Sequence, residues 1–363
     1  MNYEDFKEKL MEDIRERLDD AGIDAKVEPN TVNKLNESYD AITITPADSN
    51  IGMNLPVEKF YDALEEGRNY DEVVDKAMEI VGKGMNERPQ FNVEDLTDYS
   101  KMKEKLAMEV VSIEANKEML DTVPHQNIED MAVVYRFVLS SDDSGRASVL
   151  VTNQMLDTMG ITPEQLHADA MENAPQLKPA EIKGMSEVLA ELMGVEQAEM
   201  MGIGPLAPED EQMYVASVPD KVHGAGVLAY ENFMDQAAER AGGDFFILPS
   251  SIHEILIVPD NGQMDLKTLE DMVREVNATQ VAPEDKLTDS VYHYDSKEKI
   301  FELGEKFVER QAAKEAEKSE GLETEKAEKS LLGDLKAKKD EVAKIPKKDP
   351  IDKGSRGKGG EAI

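Results

Sequence analysis

The chain has no cysteine and no tryptophan, few aromatic residues (5%), and far fewer basic than acidic side chains, with Lys+Arg 41 against Asp+Glu 77. Without cysteine there are no disulfides, thiolate zinc sites or cysteine nucleophiles, a composition suited to a reducing compartment. With so few aromatics, the core must be filled by Leu, Val, Ile, Ala and the 20 methionines, whose flexible thioethers fill irregular gaps. No run approaches the roughly 18 consecutive apolar residues of a membrane-spanning helix. The first residues, MNYEDFKEKLMEDIRERLDD, lack the basic start and apolar stretch of a secretory signal. These absences predict a cytoplasmic protein that does not enter the membrane.

What is present is acid. The formal charge over 363 residues is −36. Residues 311–363 hold 13 basic and 12 acidic residues, so residues 1–310 carry 28 and 65, a formal −37. A surface of that sign repels nucleic-acid phosphates and anionic lipid, because tracking a phosphate backbone requires a basic patch that releases counterions. Direct nucleic-acid binding is therefore not expected. The same surface suits a basic protein partner, and it could imitate DNA by presenting carboxylates where phosphates would stand. Plain solubility is the blander explanation of such charge.

Apolar residues switch between helical and strand periods along the chain, which predicts an α+β fold with antiparallel sheet segments packed by amphipathic helices. Phe6, Leu10, Ile14 and Leu18 recur every four residues, predicting a first helix from Asn2 to about Asp20. Residues 23–28 and 39–45 read as strands of a hairpin, Pro56 opens a helix, and Tyr70 to Met85 form another. Asp98 to Leu106 reads as helical and 109–113 as a strand. Residues 131–151 form a predicted hairpin about the turn Ser141-Asp-Asp-Ser-Gly145. Thr162-Pro163-Glu164-Gln165 combines a capping hydroxyl, a proline at the first helical position and a glutamine three residues after the cap, a strong helix start. A helix is expected after Pro179 with Ile182, Met185, Val188, Leu189 and Leu192 on one side, another over 226–240, and a last one over 266–276. Residues 245–248, 254–258 and 291–294 read as strands.

The link 195–209, with Gly202, Gly204, Pro205 and Pro208, suggests an N-terminal subdomain 1–194 and a C-terminal subdomain 210–310, or one continuous domain 1–310. Residues 311–363 read as a low-complexity, disordered tail whose first part carries pairs such as Glu325/Lys329 suited to a solvated helix.

Motifs of chemistry are missing. There is no phosphate-binding loop, H-E-x-x-H, G-x-S-x-G or calcium loop, and Gly242-Gly243 lacks the remainder of a dinucleotide fingerprint. The five histidines stand singly in sequence, so no metal and no cofactor is expected. The segment GGDFFILPSSIHEILIVPD (242–260) places two apolar strands around a polar connection. Its candidate binding residues are Asp244, Ser250, Ser251, His253 and Glu254, because hydroxyl, imidazole and carboxylate can share a proton relay in a small hydrolase. Against this, such groups in strand connections commonly satisfy backbone atoms, and alternation turns neighbours to opposite faces. His223-Gly-Ala-Gly226, ahead of a predicted helix, is a second candidate as an anion-binding entry, with ordinary glycine-rich turn chemistry as its alternative.

Four segments, VTNQMLD (151–157), MGITPEQL (159–166), GDFFILPSSIHE (243–254) and DSVYHYD (289–295), resemble an uncharacterised family of acidic proteins from gut-dwelling Firmicutes. The third is also similar to a second family of unknown function in Gram-positive bacteria. The resemblance covers most of residues 1–305 and implies no activity, cofactor or site residue; its association with mobile elements is the added motive for the DNA-mimic reading. The sequence thus points to a non-enzymatic protein that binds a partner, with a DNA-mimic or anti-restriction role and a hydrolase around 250–254 as alternatives.

Overall fold

The computed structural model describes residues 1–318 and 336, except 35, 50–51, 87–92, 143–144, 203, 205, 208–209 and 250. Three antiparallel sheets interleaved with helices make the protein α+β.

The first module is a three-stranded sheet under helices. Helix α1 (Tyr3–Asp20) is capped by Asn2, whose side chain accepts the Asp5 N–H, and buries the expected stripe of Phe6, Leu10, Ile14 and Leu18. Strands β1 (Ala25–Lys34) and β2 (Glu37–Pro46) pair from Ala25↔Pro46 to Lys34↔Glu37, and β3 (Met53–Pro56) joins β2. Pro56 then leads into α2 (Val57–Glu65), and α3 (Tyr70–Asn86) follows. The α1 stripe meets Ile42, Ile44 and Leu55 of the sheet and Val73, Val74 and Ala77 of α3 in a core of its own. Each fully buried aliphatic side chain there contributes about 1.5–3 kcal/mol.

The rest of the compact unit holds a larger core and a small third cluster of Val111, Met119, Leu120, Val123, Ala132 and Val134. Helix α4 (Tyr99–Met102) and a 3-10 turn over Lys103–Lys105 precede β4 (Leu106–Ser112). The helix expected through Leu106 is therefore shorter, because Leu106 already faces Phe137 across a sheet and every residue of 106–111 is buried. After α5 (Lys117–Leu120), strand β5 (His125–Ile128) runs beside the long β6 (Met131–Asp142), which also pairs β4 and the returning β7 (Gly145–Leu150). Helix α6 (Asn153–Met159) is followed by α7 (Pro163–Leu177), where Thr162 accepts the Gln165 N–H at 3.2 Å.

Residues 181–303 build the third sheet, in the order β13-β12-β10-β11-β9-β8. Its members are β8 (Glu181–Gly184), β9 (Tyr214–Ser217), β10 (Phe245–Leu248), β11 (Ile255–Pro259), β12 (Tyr292–Asp295) and β13 (Ile300–Leu303). The helix expected right after Pro179 is first a strand: Glu181–Gly184 pairs with β9, and α8 (Met185–Met193) begins only then, with α9 (Val195–Met200) behind it. A Cβ on Gly184 would lie 2.3 Å from the Glu211 carboxylate, which would have to move aside. The sheet thus takes strands from both sides of the 195–209 link. Arg240 donates to the Ile182 carbonyl at 3.1 Å, a polar cap on this edge strand.

The helix expected over 226–240 is split into a 3-10 segment, Gly224–Ala229, and α10 (Phe233–Ala241). Tyr230, in the break, donates its hydroxyl to the Lys178 carbonyl at 2.8 Å. Helix α11 (Leu266–Thr279) starts on Asp265, as expected, and β13 adds a final hairpin beyond the anticipated last strand.

Residues 1–304 are one compact unit and 305–363 a second, whose described part is helical through residue 318. Most of the predicted tail lies outside the described residues. Within the first unit, the cores of 3–86 and 102–294 share no buried residue. Asn36, at the β1–β2 turn with φ +61°, crosses between them. Its N–H donates to Asn116 Oδ1 (2.8 Å), its Nδ2 to the carbonyls of Glu284 (3.0 Å) and Lys286 (2.7 Å), and its Oδ1 accepts from Asn116 Nδ2 (2.6 Å). No helix among the described residues is long and apolar enough to cross a membrane.

Candidate functional site

The two sequence candidates, His253 and the His223-Gly-Ala-Gly226 turn, meet in space. The turn between β10 and β11 carries His253, and the approach to the 3-10 segment carries His223 in the left-handed region at φ +56°. The His223 N–H donates to His253 Nδ1 at 3.2 Å, and the rings lie 5.6 Å apart, edge to face. With Nδ1 accepting, His253 holds its proton on Nε2 and donates to Asp285 Oδ1 at 3.0 Å. Both ring nitrogens are therefore engaged.

Behind His223 stands Glu109 of β4, with only 4% of its side chain exposed. It takes Arg136 Nε of β6 at 3.0 Å and lies 3.7 Å from His223 Nδ1, which has no hydrogen-bond partner among the described residues. Burial pushes the His223 pKa below the ordinary histidine value, and Glu109 partly opposes the shift. The chain Arg136, Glu109, His223, His253 and Asp285 thus links five separate parts of the sequence.

The other candidates stabilise local structure. Ser251 Oγ accepts the His253 N–H at 3.0 Å, and its backbone bridges to Lys286. Asp244 accepts both the N–H (2.9 Å) and the hydroxyl (2.6 Å) of Ser296, tying the start of β10 to the β12–β13 turn. Glu254 is exposed, and Ser250 lies outside the described residues. No hydroxyl among the described residues bonds to the His253 ring.

The glycines of the second candidate have a packing role. A Cβ on Gly224 would lie 2.1 Å from Ser217 Oγ, and one on Gly226 would lie 2.2 Å from the Met108 carbonyl oxygen. The amides an anion would need are taken: Ala225 N–H by the Ile252 carbonyl (3.1 Å) and Gly226 N–H by that of His223 (3.1 Å). The 224–226 glycines let this turn lie flat on β4 and β9, and the network holds it there.

A different feature lies on the surface. Helix α8 is mostly apolar, with Met185, Val188, Leu189, Ala190, Leu192 and Met193, yet buries no residue. An apolar helix in a folded chain normally lies in a core. Here Leu192 is 73% exposed, and Met200 and Met201, at the end of α9, are 88% and 62% exposed. Leu189 and Leu206 are exposed as well. Carboxylates of Glu181, Glu187 and Glu191 surround Lys183, which reaches Glu191 at 2.8 Å and Glu181 at 3.8 Å and has its pKa raised, first by the Glu191 hydrogen bond. Sequence reasoning placed Met185, Val188, Leu189 and Leu192 on one side of a helix. Only the packing shows that, among the described residues, Leu189 and Leu192 are exposed and the other apolar residues of α8 only partly covered.

Among the described residues no group of three histidines and carboxylates is placed to hold a metal ion. Comparison with known proteins matches residues 3–296 to the model of a family of unknown function (DUF5688). No curated protein and no solved structure matches the chain.

Proposed function

We propose that this chain, which belongs to the DUF5688 family of unknown function, is a non-enzymatic cytoplasmic binding protein that docks a basic, amphipathic segment of another protein on the face of α8 and the end of α9. The observation that carries this reading is a helix with six apolar residues of nine and none buried. Exposed apolar patches rimmed by polar residues are characteristic of protein-interaction sites, and methionine-rich ones adapt to their partners. The rim selects the partner's sign. Three glutamates against one lysine border α8, within a chain of net charge −36. A partner offering leucine-type anchors with lysine or arginine around them matches both elements, and the chain's field speeds its approach at low salt. The occupied ring nitrogens of His253 support a structural role for that turn over a hydrolytic one.

Fluorescence anisotropy tests the reading, with the full chain and a labelled helical peptide bearing leucine on one face and lysine on the other. Saturable binding at about 10 μM is expected, weakening with salt. A peptide with glutamate in place of lysine should not bind. Leu192→Asp and Met200→Asp should each weaken binding about tenfold, roughly 1.4 kcal/mol, without loss of helical signal, because both side chains point to solvent. Equal binding by Leu192→Asp and the parent chain would refute the proposal. So would a self-associated parent chain that Leu192→Asp makes monomeric, with no peptide binding in either.

A further inference from the structure

Away from α8, the N-terminal module and the rest of the compact unit border a cleft of about 660 Å³. The β1–β2 turn of the N-terminal module contributes Asn36 to its wall, and the rest of the unit contributes the turn after β4, the β5–β6 turn and the segment 283–290. Clefts where separately packed bodies meet are preferred places for small ligands. Ile113 and Pro283 supply apolar surface, and Asp130 supplies a carboxylate.

The surroundings of Asp130 are unusual. It sits half-buried on the β5–β6 turn and accepts three hydroxyls: Thr288 at 3.2 Å, Ser290 at 2.8 Å, and Tyr292. All its hydrogen bonds come from neutral donors. No cation pairs with it among the described residues. Two lysines, Lys117 and Lys286, also line the cleft, and Lys286 is held by Asp289 at 2.8 Å. Three O–H donors fix the carboxylate's orientation but leave its charge in place, and a charge on a half-enclosed wall attracts a counter-charge more strongly than one in bulk water. Glu129 beside it adds to the negative potential of the same wall.

We infer that this cleft binds a small organic cation, a primary amine on a short apolar body, with the ammonium against Asp130 and the body against Ile113 and Pro283. An ammonium group offers three N–H donors to a carboxylate whose other partners are already aligned. Because Asn36 lines the cleft and also bonds the 284–286 backbone, an occupant touches both the N-terminal module and the rest of the unit and strengthens the link between them.

Isothermal titration of the full chain with n-pentylamine at fixed ionic strength tests the inference. Pentanoate serves as the body without the cation, and ammonium chloride as the cation without the body. The expected result is one saturable site for pentylamine with a Kd of about 1 mM or tighter, and none for the other two. Asp130→Asn should weaken binding at least about tenfold. Ala115→Arg changes an exposed residue of the cleft wall and should abolish binding while leaving the fold intact, so the inference remains testable if Asp130→Asn destabilises the chain. Asp271→Asn, an exposed acid on α11, should leave binding unchanged. No saturable heat, binding equally lost in Asp271→Asn, or the same response to ammonium alone would show only diffuse attraction of cations to an acidic chain and would overturn the inference.

Discussion

Replacing Asn36 should loosen the two cores from one another without damaging either. Its side chain makes three hydrogen bonds across the junction: to the carbonyls of Glu284 at 3.0 Å and Lys286 at 2.7 Å, and from Asn116 Nδ2 at 2.6 Å. At about 1 kcal/mol net for each bond, Asn36→Gly removes roughly 3 kcal/mol of coupling while keeping the left-handed backbone. Asn36→Ala loses the same bonds and keeps a Cβ at φ +61°, whereas glycine relieves that strain by about 1 kcal/mol, so alanine is the less stable of the two variants. The cores bury separate sets of residues, so the loss falls on the N-terminal module as a unit. For a module of that size, 3 kcal/mol corresponds to a transition about 12–24 °C earlier. Calorimetry should therefore show a low-temperature shoulder in both variants, larger for alanine. Hydrogen exchange followed by mass spectrometry should show faster exchange in α1 and β1–β3, and unchanged exchange in β4 and β6. A single transition at the parent temperature in both variants, with parent exchange throughout, would refute the idea that Asn36 couples the cores.

Gly226→Ala should cost about 3 kcal/mol or more, since its Cβ meets the Met108 carbonyl 2.2 Å away and neither backbone can yield; denaturant unfolding at an unchanged slope measures it, and a loss below about 1 kcal/mol would contradict the packing described. Phe6→Ala should cost about 3–5 kcal/mol and accelerate exchange in the N-terminal module; equal acceleration in β10 and β11 would argue against separate cores. Thr162→Ala removes the cap on the Gln165 N–H and should cost about 1 kcal/mol, read as a lower denaturation midpoint. The pH dependence has a definite sign. Burial holds the pKa values of His167, His223 and His293 below the ordinary histidine value, so the unfolded chain binds protons more readily than the folded one. Their contribution is complete above about pH 6.5 and declines as pH falls below it; denaturant midpoints that stay constant from pH 7.5 to 5 would contradict this.

Where short-range physics decides, the elements were legible in the residues. The four-residue repeat of Phe6 to Leu18 sets one face of α1, Thr162-Pro163 sets the start of α7, and the apolar, β-branched-rich run over 131–139 sets β6. The errors fall where a distant partner overrides local preference. Leu106 and Ile182 are compatible with helix, but β6 and β9 offer them backbone partners, and pairing satisfies N–H and C=O groups that the core would otherwise strip of water. His223 and His253, thirty residues apart, meet because Gly224 and Gly226 let their segments approach within contact of β9 and β4. Glu109, Arg136 and Asp285 could not be found from spacing, because each lies on a different element and is selected by sheet register and loop path.

The amino-acid order by itself determined the acidity, the absence of cysteine chemistry, the α+β class and the face each long helix turns inward, all of which depend on composition or on contacts a few residues apart. Tertiary structure alone decided that the apolar residues of α8 all stay at least partly exposed, that Asn36 joins the N-terminal module to the rest of the unit, and that Asp130, on a cleft wall, takes three hydroxyls and no cation among the described residues. Exposure, cleft shape and charge pairing are properties of which surfaces meet, and a one-dimensional pattern records what each residue prefers but not which neighbour reaches it.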